Sequence, residues 1–388
     1  MSPITRPTAL VLALSAIPGT VSLGNAQEQP FYYPPPIAGS VTVTRGVQFG
    51  RSDTLALRMD VFRPKNASGR LPVLIVFFSG IGAQRSNSFT EGWANAAASR
   101  GLVSVLADLR QDRAADDFRQ LISYVYDNAA TYGADRDAIA VYAGSGNVYS
   151  ALPIVQDPAQ TKVKAAVMYY GTGPVTTFRR DLPILFVRAG LDRPSLNGDA
   201  RSGMVAMIAS AIAQNAPVTV VNNPVGHHAF EIADDGDVTR DVIDQTIDFV
   251  KRATSAGYQA SLRKSLPEAG AAANVIAGDF KAAASAYASI LNSRPDDERL
   301  GLSYGEALLG DRQYAAACSQ FDRLKGKGLG FRDLGLPAAR ACLLKGDSSA
   351  AIGWLQSIPK RFLPPSLQDD SLFAGLKSRA DFRQLFVP

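Results

Sequence analysis

The chain has 388 residues, 46% hydrophobic and 19% charged, with 33 Gly, 23 Pro, two Cys and two His. That apolar share excludes disorder along the whole chain, a collagen-like repeat and a small disulfide-dense scaffold, and the length suits two or three domains. The net charge of +5 is spread out: residues 261–388 hold 17 basic and 13 acidic side chains, with nothing longer than Lys325-Gly-Lys327 or an adjacent Lys/Arg pair, so no nucleic-acid partner is expected. The two histidines are adjacent, His227 and His228, which rules out zinc sites of the H-E-x-x-H and C2H2 kinds.

Residues 1–26 read as a signal peptide. Arg6 is the sole charge, 8–17 is an apolar stretch too short to span a bilayer, and Gly24-Asn-Ala26 offers small residues for cleavage. The expected location is periplasmic or secreted, without stable membrane insertion. In such a compartment a disulfide between Cys318 and Cys342 is allowed though not required. Burial as two separate small residues is the commoner fate of free Cys.

After a Pro-rich lead, 41–47 and 54–62 read as paired strands around a turn at 50–53. Residues 71–78 (LPVLIVFF) form a continuous apolar run, the mark of a strand buried on both faces. A helix over 91–100 and a second buried strand over 102–107 follow. Residues 117–131 carry a helical period, with Phe118, Leu121, Ile122, Val125 and Tyr126 on one face. Further buried strands are expected at 139–142, 163–170, 182–187 and 217–221, and an amphipathic helix at 241–252. This alternation predicts an α/β domain over 37–255, a three-layer sandwich on a mostly parallel sheet. Ligands on such a sheet bind at the carboxyl ends of its strands.

Beyond residue 255 strand signals vanish and alanine rises. Phe280, Tyr314 and Ser348 stand 34 residues apart; Ala283, Ala317 and Ala351 come three residues later, and Tyr287, Phe321 and Leu355 seven later. This pattern resembles the tetratricopeptide repeat, with Gly305 as a first-helix glycine and Pro295 at a repeat end; Ser348 departs from the aromatic. An all-α helical-repeat domain is therefore expected over 261–388, with the tail to 386 as a cap. Its concave face would suit a protein or peptide partner, and the array is a candidate to cover the active site.

The chemistry centres on 135–147, a strand that runs into Ala143-Gly-Ser145-Gly-Asn147 and then a helix. A serine on such a turn projects its hydroxyl above the sheet, beside helix N-terminal amides able to hold an oxyanion. It needs a base, and the base needs an orienting acid. Arg188-Ala-Gly-Leu-Asp192 follows the fifth buried strand and Gly226-His-His228-Ala-Phe230 follows the sixth. The order Ser, Asp, His is that of α/β-hydrolases.

Residues 41–252 resemble the dienelactone-hydrolase-like branch of the α/β-hydrolase superfamily, through Tyr169-Tyr-Gly171, Arg188-Ala-Gly-Leu-Asp192 and Gly226-His-His228-Ala-Phe230. The short link from 171 to 181 leaves no room for a lid domain, as in that branch. The resemblance implies Ser145 as nucleophile, Asp192 as acid and His228 as base. His227 is the alternative base, and Asp199 and Asp181 are the substitutes for Asp192. The oxyanion hole is expected from the amide of Gly146 and that of Ile81, with Gly80 next, in the loop after the first buried strand. Two positions depart from the usual G-x-S-x-G: Ala143 and Asn147 occupy the outer sites. Dienelactone hydrolase itself is described with cysteine, so a serine points to general ester hydrolysis.

The function so implied is a serine hydrolase acting on a small-molecule carboxylic ester or lactone through an acyl-enzyme, with no metal or organic cofactor. The alternatives are a non-catalytic hydrolase-like platform carrying a peptide-binding repeat array, and a serine peptidase of the same fold.

Overall fold

A computed structural model describes residues 30–52, 55–79, 85–193 and 200–387. The signal-peptide segment 1–26 and the oxyanion candidates Gly80 and Ile81 lie outside them, as does Asp199. Eight strands form one sheet: β1 (Val41–Ser52), β2 (Leu55–Pro64), β3 (Leu71–Phe77), β4 (Val103–Ala107), β5 (Ala134–Gly144), β6 (Val163–Tyr169), β7 (Ile184–Ala189) and β8 (Val218–Asn223). Their spatial order is β1-β2-β4-β3-β5-β6-β7-β8. β2 runs antiparallel to β1 and β4, and every other pair is parallel.

The strand pleat sorts side chains between two cores. In β3, Val73, Ile75 and Phe77 enter one cluster while Leu74 and Val76 enter the other. The first cluster packs under α2 (Ala114–Asn128), α3 (Asn147–Gln156) and α4 (Ala200–Ala213). The second packs under α1 (Ser88–Ser99), the short α5 (Phe230–Ala233) and α6 (Asp237–Thr254). These are the three layers expected from the alternating pattern.

One expectation needs correction, and one helix was not foreseen. The strand expected to be buried at 217–221 is an edge strand, with Val220 43% exposed, because β8 pairs only with β7. Helix α4 gave no amphipathic signal, since its apolar residues surround it: Met204 is buried while Val205 and Ile212 are half exposed.

A second, all-helical region follows α6 after Ser255. It comprises α7 (Ala256–Ile276), α8 (Phe280–Ser293), α9 (Glu298–Gly310), α10 (Tyr314–Leu324), α11 (Phe331–Leu344) and α12 (Ser348–Gln356), then 3-10 turns and α13 (Ala380–Arg383). Helices α8, α10 and α12 begin 34 residues apart, and Ala283, Ala317 and Ala351 are fully buried. Helices α9 and α10 meet closely because Gly305 faces Phe321; a Cβ at Gly305 would lie 2.7 Å from that ring. Phe373, Phe382 and Leu385 of the tail join the same core. Cys318 of α10 is disulfide-bonded to Cys342 of α11, so the two do not stand as separate buried thiols.

Contacts between the regions run through α7. Gln259 donates from Nε2 to the Lys164 carbonyl (3.0 Å) near the start of β6, and Asn215, just before β8, donates to the Ala269 carbonyl (3.1 Å). These are amino ends of strands. Ser145, Asp192 and His228 all follow carboxyl ends, so α7 docks at the opposite edge of the sheet from the site.

Candidate active site

Strand β5 ends at Gly144, and Ser145 sits in the left-handed region with φ 55°. Side chains rarely adopt that conformation, and it lifts the serine off the strand line into the turn. The turn is held from both sides. The Ser145 N–H donates to the Tyr169 carbonyl (3.0 Å), prolonging the β5–β6 pairing, and its carbonyl accepts from Val148 as α3 starts. Gly171 passes so close that a Cβ there would lie 2.2 Å from the Ser145 oxygen. Tyr170, between them, is itself left-handed with φ 29°.

The loops that carry Asp192 and His228 are joined by an extension of the β7–β8 ladder. Gly190 donates to the Asn223 carbonyl (2.7 Å) and Leu191 to that of Gly226 (2.9 Å). Asp192 is thereby fixed beside His228, and its carboxyl is almost fully buried. His228 Nδ1–H donates to Asp192 Oδ2 at 3.0 Å, which sets the tautomer with a free lone pair on Nε2. Nε2 stands 2.7 Å from Ser145 Oγ, whose hydroxyl donates to it. Ala229, next in the chain, is also left-handed, with φ 56°. Three non-glycine residues with positive φ thus converge on one site.

His227 turns elsewhere. Its Nδ1–H donates to Asp234 Oδ1 (2.8 Å) and its backbone N–H to Asp234 Oδ2 (2.7 Å). Asp181 pairs with Arg179, whose guanidinium hydrogen bonds at 2.9 and 2.7 Å hold its carboxyl below the usual carboxylate range. Neither belongs to the chain of hydrogen bonds that starts at Ser145.

Gly146 precedes α3, where the first backbone N–H groups of a helix have no intrahelical acceptor. Asn147, the departure from the usual elbow, has a partner across the sheet top. Its Oδ1 accepts from the N–H (3.1 Å) and the hydroxyl (3.2 Å) of Ser79, where the chain leaves β3. The far side of that loop is also tied, since Arg85 ion-pairs with buried Asp60 and, at 3.2 Å, with Asp108. Ala143, the other departure, is buried in the core cluster under α3.

Behind His228 lies a group that sequence reasoning missed. Glu231 is completely buried; its Oε1 accepts from Trp93 Nε1 (3.2 Å) and the Tyr142 hydroxyl (2.9 Å), and its Oε2 from the Tyr170 hydroxyl (2.9 Å). Burial pushes its carboxyl up to about 7, against the lowering pull of these bonds. Its trace in the sequence is an acidic residue directly after Phe230, on the turn that carries the histidines. Away from this site, Cys318, Asp322 and Cys342 lie within metal-ligating distance of one another, but the two sulfurs are bonded together.

No protein-family model matches the chain, and no curated protein does. Solved structures are similar to parts of it. One from a study of two fungal esterases of Rhizomucor miehei covers 57% of this chain and 86% of its own, with 16% identity and a TM-score of 0.47. A truncated carbohydrate esterase from gut microbiota covers 57% and 99%, at 15% identity and a TM-score of 0.46. Brefeldin A esterase, a bacterial homologue of human hormone-sensitive lipase, covers 61% and 81%, at 13% identity and a TM-score of 0.45. Independently of these partial likenesses, the strand order, the flanking helices and the direct run from β6 to β7 are those of an α/β-hydrolase fold.

Proposed function

We propose that the protein is a serine hydrolase that cleaves a small carboxylic ester or lactone. The observation that carries the reading is the continuous hydrogen-bond chain Ser145 Oγ, His228, Asp192, at 2.7 and 3.0 Å. Ser145 Oγ attacks the carbonyl carbon while His228 Nε2 takes its proton. Asp192 orients the imidazole and stabilises its charged form. The amide of Gly146 and that of Ile81 are the proposed donors to the tetrahedral oxyanion. Collapse expels the alcohol, which leaves with the proton from His228, and water then releases the acid by the same steps in reverse roles. In this reading residues 1–26 are a cleaved leader, 37–255 form a dienelactone-hydrolase-like domain and 261–388 a tetratricopeptide-like accessory array. The disulfide is consistent with a periplasmic or secreted location.

A fluorophosphonate probe should label the protein, and Ser145→Ala should abolish labelling and turnover of p-nitrophenyl acetate. Labelling that survives Ser145→Ala would end this reading. A second reading, an inert platform whose helices bind a partner, is favoured by a cleft of ≈ 380 Å³ between α8, α9 and α10, lined in part by Asp297, Tyr304, Arg323 and Lys327. It predicts no reaction with any acyl or phosphonate probe.

A further inference from the structure

Glu231 poses a physical question. A carboxyl wholly removed from water is normally paired with a cation, because desolvation costs several kcal/mol. The side chains that bond to Glu231 are neutral: Trp93 of α1, Tyr142 of β5 and Tyr170 beyond β6. An apolar side chain or an amide would fill this space at lower cost, so the acid calls for a role beyond packing.

Its partners indicate which role. Tyr142 lies three residues before Ser145 on the same strand, and Glu231 lies three residues after His228. Tyr170 follows the residue whose carbonyl accepts the Ser145 N–H, and its ring centroid is 4.7 Å from that of the His228 imidazole. The Glu231 carbonyl accepts from the Tyr32 N–H (2.7 Å), which pins the same turn from the N-terminal side. One carboxyl therefore ties together the strand of the serine, the ring beneath the histidine and the turn of the histidine.

We propose that Glu231 is a positioning residue for His228, holding the imidazole in line with Ser145 through Tyr170 and the 228–231 turn. The role of His228 as base rests on the function proposed above; the hold of Glu231 on its ring does not. An ionised carboxylate only accepts, which suits three converging donors. A protonated one must donate, so a tyrosine hydroxyl has to turn and the ring beneath His228 resettles. The titratable groups that face this carboxyl are Tyr142, Tyr169 and Tyr170, all held neutral by burial, with His228, His227 and Asp234 on its own segment. Because the chain contains only two histidines, the test is clean.

The full chain labelled with ¹⁵N-histidine gives two imidazoles, told apart by His227→Gln. The His228 ring shifts should carry an extra inflection near pH 7, where Glu231 titrates. That inflection should vanish in Glu231→Gln and shrink in Tyr170→Phe. With p-nitrophenyl acetate, kcat should fall about 10-fold in both variants with KM within about twofold, as expected when a base is slightly misplaced. His228 shifts in Glu231→Gln that overlay the wild type at every pH would overturn the proposal, whatever the kinetics. If Glu231→Gln does not fold, Tyr170→Phe, which removes one hydroxyl, decides in the same way. The spectra need no turnover, so a failure of the hydrolase reading, seen with Ser145→Ala, is recognised separately.

Discussion

Asn147 accepts two hydrogen bonds from Ser79, one from its backbone N–H at 3.1 Å and one from its hydroxyl at 3.2 Å. One residue opens the helix behind the Ser145 turn and the other begins the loop proposed to supply an oxyanion donor. In the usual elbow the position of Asn147 is glycine, which has no acceptor to offer. With Arg85 bound to Asp60 and Asp108, the loop is secured at both ends.

On the proposed function, restoring the glycine should therefore slow turnover. Asn147→Gly frees Ser79, and kcat toward a p-nitrophenyl ester should drop about 10-fold, near 1.4 kcal/mol, with little change in KM. This is less than removal of an oxyanion donor, because the amides remain and only their placement loosens. A variant as fast as the wild type would show that the tether is dispensable.

Much of this arrangement was legible in the sequence. The central buried strands announced themselves as apolar runs, and the order Ser145, Asp192, His228 followed from loops after β5, β7 and β8. The tethers were not legible, because they join residues far apart in the chain: Asn147 to Ser79 spans 68 positions and Glu231 to Tyr142 spans 89. Tyr142 reads only as part of a buried strand, and nothing local shows that its hydroxyl ends on a carboxylate. Helix α4 escaped because its apolar residues give no single face, and the edge position of β8 depends on sheet order rather than on its own residues. The 34-residue step was visible, whereas the hydrogen bonds that join α7 to the sheet come from Gln259 and Asn215, polar residues with no pattern.

The two adjacent histidines should separate completely. His228→Gln removes the group between Ser145 and Asp192, and kcat/KM should fall by about 10⁴-fold or more. His227→Gln disturbs only the link to Asp234 and should leave kcat/KM within about threefold. Parallel kinetics on the two purified variants decide it, and equal losses would contradict the geometry.

The disulfide closes a loop with a sequence separation of 24 residues between α10 and α11. Chain entropy puts its worth at roughly 3 kcal/mol, all of it within the helical region. Cys318→Ala with Cys342→Ala should lower the melting of that region while ester turnover at 25 °C persists, since the hydrogen bonds to the α/β region come from α7 rather than from α10 or α11. Calorimetry alongside an activity assay tests this. Activity lost in step with the helical transition would mean that the site depends on the array.

Burial of Glu231 also shapes stability against pH. Its carboxyl is raised from 4.5 to about 7 in the folded protein, so between those values the folded state holds a proton that the unfolded state has released. Folding is then favoured by acid: the contribution is fully present below about pH 4.5 and is lost as pH rises through about 7. The shift corresponds to about 3 kcal/mol. Asp181, held low by Arg179, acts in the opposite sense, and Glu306, raised by burial, acts in the same sense. The comparison to make is therefore wild type against Glu231→Gln, by denaturant unfolding at pH 5 and pH 8. The glutamine variant should gain on the wild type by about 3 kcal/mol on going from the lower pH to the higher. A constant difference between the two proteins would show that Glu231 does not change its protonation in that window.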